Sequence, residues 1–546
     1  MGGVGKSELV RRYADAHQDR YPVVWWITAD SPQNLQRGLA GLAAAIHPPV
    51  ALVGDAAWAA KWALEWLQAH PGWLVVLDNV EDPGDVRECL DRLAAGHVVI
   101  TTRRDVYWPG LATLALPVLE SRPALELMRG IVEQSQQVGP GEVTELEAIA
   151  AELGYLPLAL EQAAAYMHQQ HCSPARYLRQ LQAQPGWAHA RFPHGGDAER
   201  IMARLWERHL QALRERDRVD GLAGEHLLRV LACYAPDDVP HTLLGDHSTG
   251  DQEVDAEEES WEEALGVLAS YSMITRAGVD DAETISMHRL FHSVIRNSLD
   301  YDDPRQHAAR QSALAWLAQA LPPNPSSNVD GWPVWRVLMP HLDALASCHR
   351  RGGEPPLLGE VLNYATLFTL VQGQPQRARH LAGRALAITE AAYGPEHPTV
   401  AIRLGNLAAS FRDLGRPGEA VPLEQRALAI TEAAHGPEHP TVATLLGNLA
   451  GSFRDLGRPG EAVPLLERAL AITEAAYGPE HPDVAIRLGN LAGSFCDLGR
   501  PGEAVPLLER ALAITEAAYG PEHPTVAPLL RYLSHTMNAP LPVRFR

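Results

Sequence analysis

Six residues at the start of the chain, Gly2-Gly3-Val4-Gly5-Lys6-Ser7, have the composition of a loop that holds phosphate. The pattern G-x-x-x-x-G-K-[ST] is met at Gly5, Lys6 and Ser7, while its leading glycine would fall one place before Met1. Glycines at 2, 3 and 5 let the backbone curl, so that successive N–H groups, with that of Val4 among them, point at phosphate oxygens. A helix expected from about 7 to 17 adds the positive end of its dipole to the same place. Lys6 then supplies a mobile charge for the outer phosphates, and the Ser7 hydroxyl is a ligand for Mg²⁺. Lys and Arg together number 46, yet only Lys6 and Lys61 are lysines. A lysine kept at this place in an arginine-rich chain suggests that a planar guanidinium will not serve there.

Two more groups fit the same chemistry. Gly72-Trp-Leu-Val-Val-Leu-Asp78-Asn79 is an apolar run closed by an acid, the pattern of a buried parallel strand that delivers a carboxylate to a metal. His97-Val-Val-Ile-Thr-Thr102 leads into Arg103-Arg104, and an arginine at such a strand end can sense a γ-phosphate through paired donors. The plain alternatives are a turn-initiating Asp and a solvated basic turn.

These groups need a parallel sheet with flanking helices to bring them together. A strand is expected over 21–28 and helical patterns over 32–45 and 56–70. The strand that ordinarily precedes a phosphate loop is absent from the chain. A central strand is thereby missing, and its neighbours are expected to lose backbone partners and stability. Helices follow over 121–184 and 197–235, with Pro157 a plausible first-turn residue of one of them. Residues 240–298 then read as two helices and two short strands.

In order and rough spacing, Gly2–Ser7, Leu77-Asp78-Asn79, Ile100-Thr-Thr-Arg103, Gly154-Tyr-Leu-Pro157-Leu and Met287-His288-Arg289-Leu290 resemble the NB-ARC domain, the switch ATPase of the STAND class. The resemblance covers about 1–299. It implies ADP/ATP with Mg²⁺ as cofactors, held by the loop, Ser7 and Asp78, and Arg103 as the γ-phosphate sensor. It implies that Pro157 packs on the adenine, and that His288 of a winged helix touches the β-phosphate of ADP and locks a closed state. For His288 the alternative is a structural histidine between strand and helix. Asn79 stands where the family usually has a second acid, and an amide cannot accept a proton, so at most slow hydrolysis is expected. Arg289 stands where the family often has Asp, which leaves the tuning of the locked state open.

The other half repeats. Gly394, Gly436, Gly478 and Gly520 stand 42 residues apart, each inside a near-copy of Ile-Thr-Glu-Ala-Ala-Tyr-Gly-Pro-Glu-His-Pro. A fixed period of this size means a solenoid. Two helices per unit resemble tetratricopeptide repeats of the kinesin-light-chain type. Pro422, Pro464 and Pro506 fall inside the second helix of each unit, so that helix is expected to start late or bend. Asn406, Asn448 and Asn490 recur on the first helices, where they can bind an extended peptide's backbone or satisfy neighbouring loops.

The fold class is thus multidomain. A P-loop α/β domain lacking its first strand (1–120) is followed by a helical domain (121–195), a winged helix (196–300) and a helical adaptor (301–354). Four repeat units (355–522) and a capping helix with a tail (523–546) complete it. A net charge of −21, and eight acids without a base from Gly250 to Glu263, argue against nucleic acid as a partner. No apolar run approaches the roughly 20 residues of a membrane span. Five scattered cysteines suit a reducing cytoplasm. The expected function is a signal-transducing switch whose repeats sense a peptide or protein and which forms homo-oligomers when activated. The rivals are a passive repeat scaffold with a vestigial nucleotide fold, and a transcription regulator lacking its DNA-binding module.

Overall fold

The computed structural model describes residues 4–48, 56–102, 108, 110–135, 138–182, 210–211, 213–215, 217–218, 223–245, 254–278, 283–298, 303–521 and 523–536. The chain folds as two units, residues 1–322 with 331–349, and residues 323–330 with 350–546.

In the first unit, strands β1 (Val23–Thr28), β2 (Trp73–Asp78) and β3 (His97–Ile100) form a parallel sheet in the order β1-β2-β3. The expected strands and helices are present within a few residues: Pro32–Ile46 and Ala56–Ala69 bury Leu35, Leu39, Leu42 and Leu67 over one face. Helix Lys6–Ala16 covers the other face, with Val10 and Ala14 against Leu74 and Val76. Every residue of β2 is buried, because a parallel strand between two helical layers has no solvent face.

One expectation fails here. The central strand β2 does not lack backbone partners: it pairs with β1 from Val23↔Trp73 to Thr28↔Asp78, and with β3 from Leu74↔His97 to Leu77↔Ile100. Pairing continues past the strand ends, where the Ala29 amide donates to the Asp78 carbonyl and the Val80 amide to that of Thr101. Gly96 permits this closeness, since a Cβ there would come within 2.3 Å of the Trp73 ring.

Helices Ser121–Val132, Pro140–Glu152, Pro157–Gln169 and Pro174–Gln182 follow. Of the helix expected over 197–235, Gly224–Leu231 is seen, and much of the rest lies outside the described residues. A second sheet, antiparallel in the order β4-β6-β5, joins Val239–Pro240, Thr284–Ser286 and Thr275–Ala277. Helices Val254–Ser270 and Arg289–Ser298 flank it in sequence. Glu225 binds Arg214 and Arg229, and Arg229 reaches Asp303 at 3.4 Å, so buried charges tie this segment to helix Pro304–Ala320.

The second unit alternates helices of 16 and 19 residues, beginning at Pro356–Val371 and Pro375–Tyr393 and ending with Pro482–Asp497 and Pro501–Tyr519. Helix Val526–Thr536 packs on the last repeat. Each turn is built alike. Gly394, Gly436, Gly478 and Gly520 sit near φ +87, open to glycine at little cost. The arginines Arg426, Arg468 and Arg510 each bond the carbonyl of the proline after that glycine, at 2.9–3.0 Å. Pro422 neither delays nor ends its helix, which starts at Pro417 and runs through it to His435. The carbonyl that the proline ring must clear, four residues back, belongs to Gly418, and Gly460 and Gly502 stand in the same relation to Pro464 and Pro506.

Candidate functional site

Gly5 has φ 86 and ψ 22, a left-handed residue from which helix Lys6–Ala16 springs. This turn puts Lys6 and Ser7 in the first turn of the helix, at the end of the sheet where the strands finish. The Ser7 Oγ donates to Asp78 Oδ1 at 2.8 Å. Asp78 is buried at 6% exposure and takes a second hydroxyl, that of Thr101, on the same oxygen at 2.6 Å. The Thr101 Oγ1 in turn accepts the Asn79 amide at 2.9 Å, and Asn79 turns the chain with φ 61. A loop, two strand ends and a helix start are thereby drawn onto one carboxylate.

This donor set fits a divalent cation. Neighbouring ligands of an octahedral Mg²⁺ at 2.0–2.1 Å stand about 2.9 Å apart. The separation of Ser7 Oγ and Asp78 Oδ1 is 2.8 Å, so both oxygens suit one ion.

The other expected site residues are more scattered. Gly2, Gly3 and Arg103 lie outside the described residues. Val4 is buried. Pro157 is half-buried and is the first residue of its helix, as its fixed φ favours. His288 is exposed, immediately before helix Arg289–Ser298. Its neighbour Arg289 is turned inward. The Arg289 Nε and Nη2 donate to Asp237 Oδ2 at 2.9 and 2.5 Å, and Nη2 also donates to the Thr28 hydroxyl at 3.0 Å. Burial pulls this guanidinium's pKa down, but the Asp237 carboxylate, with Asp78 and Asp30 adding to it, raises it on balance.

Two buried histidines lie close by in this unit. His292 bonds the Tyr234 carbonyl and His341 that of Asp238, and burial pushes both down to about 4. His241, Glu262 and Glu283 cluster within reach of one cation, but Arg276 already binds both carboxylates, at 2.6–3.0 Å.

On the repeats, the Asn406 amide donates to Asn363 Oδ1 of the preceding unit at 2.7 Å. Asn448 and Asn490 are half-buried at the same repeat position. Sequence reasoning missed Thr101, Thr28 and Asp237. The signal for Thr101 was a hydroxyl at the end of the strand after the acid, which period and composition do not mark.

The family model for tetratricopeptide repeats matches residues 357–433, 425–475, 441–517 and 486–539, so this part of the chain is a tetratricopeptide array. A domain of unknown function, DUF7779, matches residues 220–303. A nucleotide-binding leucine-rich repeat (NLR)-like protein of Hyaloscypha variabilis is 23% identical over 331 residues, which are 55% of this chain and 32% of that protein. The chain therefore spans about a third of that relative's length. Among solved structures, a STAND protein with a tetratricopeptide repeat sensor from Pyrococcus horikoshii is 13% identical, with a TM-score of 0.36, over 98% of this chain and 82% of that one. A kinesin light chain-like repeat protein of Podosopora anserina is 26% identical, with a TM-score of 0.30, over 39% of this chain and 90% of that one. The chain thus carries tetratricopeptide repeats in its C-terminal part and is similar over about half its length to an NLR-like protein. No described helix is long and apolar enough to cross a membrane.

Proposed function

We propose that the chain is a nucleotide-dependent signalling switch whose tetratricopeptide array receives a peptide or protein. The observation that carries this is the contact of Ser7 Oγ with the buried Asp78 carboxylate, made where the parallel strands end and the first helix begins. The repeat model and the NLR-like relative support the signalling half of the reading.

In this reading Ser7 and Asp78 hold Mg²⁺, and Lys6 with the glycine loop binds the phosphates of ADP or ATP. Bound nucleotide with Mg²⁺ supplies a compact negative charge that the surrounding cations can grip. Arg103 reads the γ-phosphate, Pro157 packs on the base, and His288 approaches the β-phosphate from the winged helix expected over 196–300. Thr101 fixes the Asp78 carboxylate through one oxygen, so that it is oriented before any cation arrives. Asn79 donates its backbone N–H to Thr101, and its side chain has no carboxylate with which to take a proton from water, so hydrolysis is slow or absent. Oligomerisation follows opening of this unit.

The test is the nucleotide released when the purified chain is denatured, beside a Lys6→Ala variant. ADP near one per chain in the parent and little in the variant supports the switch. No nucleotide in the parent, and none bound on addition of ADP with Mg²⁺, would leave a repeat scaffold as the better reading.

A further inference from the structure

Arg289 keeps one end of its guanidinium in reserve. The group has five N–H donors. Asp237 Oδ2 takes those of Nε and one of Nη2, and the Thr28 hydroxyl takes a second from Nη2. Nη1 is buried and has no hydrogen-bond partner. A buried charged donor left unsatisfied costs free energy, so such groups are rare and call for a reason.

The position supplies one. Thr28 is the last residue of β1 and lies in register with Asp78, the last residue of β2. In open α/β sheets ligands bind outside the carboxyl ends of the strands. Arg289 comes from a helix far along the chain, yet it reaches this edge, beside the carboxylate that Ser7 also touches. Asp237 grips the guanidinium along its Nε–Nη2 edge, which fixes the plane and leaves the Nη1 donors on the opposite edge without a protein partner. The expected sensor of this segment, His288, is exposed, whereas Arg289 retains only 17% side-chain exposure.

We propose that Arg289 is a phosphate-binding residue, aimed by Asp237 and Thr28, whose Nη1 donates to the terminal phosphate of a bound nucleoside diphosphate. This rests on the nucleotide reading above and deepens it. The residue couples the 223–298 segment to the sheet: with the ligand present, one guanidinium joins Asp237, Thr28 and the phosphate. It also gives a role to an arginine at a place where an acid would repel the same phosphate.

The test is displacement of a fluorescent ADP analogue by ADP and by AMP, read in the full chain with Mg²⁺ present. A charge-assisted contact to the β-phosphate makes Arg289→Gln lose about tenfold or more in ADP affinity, while AMP changes by less than about twofold. Arg289→Lys restores part of the ADP affinity, because a point charge remains without the fork. Equal losses for ADP and AMP in both variants would overturn the proposal, since a merely structural arginine does not distinguish the ligands. So would ADP affinity unchanged within about twofold. If Gln at 289 prevents folding, Arg289→Lys and Asp237→Asn decide alone: the proposal requires each to lower the ratio of ADP to AMP affinity. A parent chain that binds neither nucleotide contradicts the switch reading itself, whereas a parent that binds with an indifferent Arg289 contradicts only this inference.

Discussion

The two units solve opposite problems with the same helices. In the repeats many contacts recur at a fixed offset. The Thr389, Thr431, Thr473 and Thr515 hydroxyls each donate to the carbonyl four residues back, at 2.7–2.9 Å. Arg416, Arg458 and Arg500 each lie over a phenylalanine five residues earlier. In the first unit, one carboxylate gathers Ser7 and Thr101 while Arg289 bonds Thr28 across 261 positions. Repetition gives a surface whose parts are exchangeable. Convergence gives a site that fails if one part is removed.

That contrast can be broken most forcefully in the repeats. Leu446 is fully buried in the core it shares with Val442, Ala469 and Ile472. Leu446→Ala should cost about 2–5 kcal/mol, seen as a lower denaturant midpoint for the repeat transition. Because repeat stability is carried by neighbours, ADP binding should stay unchanged; a parallel loss of ADP binding would contradict the separation of the two units.

A smaller effect sharpens the first unit. His292 and His341 have pKa values near 4 when folded, against an ordinary value of 6.5, so the unfolded chain binds more protons between those values. Their neutral forms therefore support the fold fully above pH 6.5, and this support is lost as pH falls from 6.5 toward 4. Lowering the pH from 7 to 5 should cost about 1–2 kcal/mol per histidine, read as a fall in Tm. His341 Nδ1 is buried without a partner, so a proton there finds no acceptor. His341→Gln should flatten the pH slope; an unchanged slope would remove His341 from the account.

The smallest effect tests whether the recurring turn contacts matter singly. Arg426 binds Glu390 and the Pro395 carbonyl at a partly exposed place. Arg426→Ala should lower repeat stability by no more than about 1 kcal/mol in chemical denaturation. A larger loss would mean that the turns, and not the apolar faces, hold the array.

How much was legible follows the same division. The period, both helices of each unit and the glycine turns were readable because each repeat states the pattern again. The strands β1 to β3 were readable as short apolar runs, and Asp78 with Ser7 as a pair implied by spacing. Each was read as a cation ligand; the structure puts their oxygens 2.8 Å apart and adds Thr101. What period and composition could not supply was contact between distant segments: Asp237 with Arg289, or Thr28 with either. The expected loss of strand partners failed because β2 and β3 lie next to each other, which composition does not show. Pro422 does not make its helix start late, since the helix begins at Pro417. Asn406 was readable as a repeated position, but its bond to Asn363 of a divergent first unit was not.

The most direct test of the central claim is calorimetric titration of ADP into the chain with and without Mg²⁺, for the parent and for Asp78→Asn. If Ser7 and Asp78 form the cation site, Mg²⁺ strengthens ADP binding by about tenfold or more in the parent and has little effect in the variant. ADP affinity that ignores Mg²⁺ in both proteins, or the same Mg²⁺ response with Asn at 78, would contradict it.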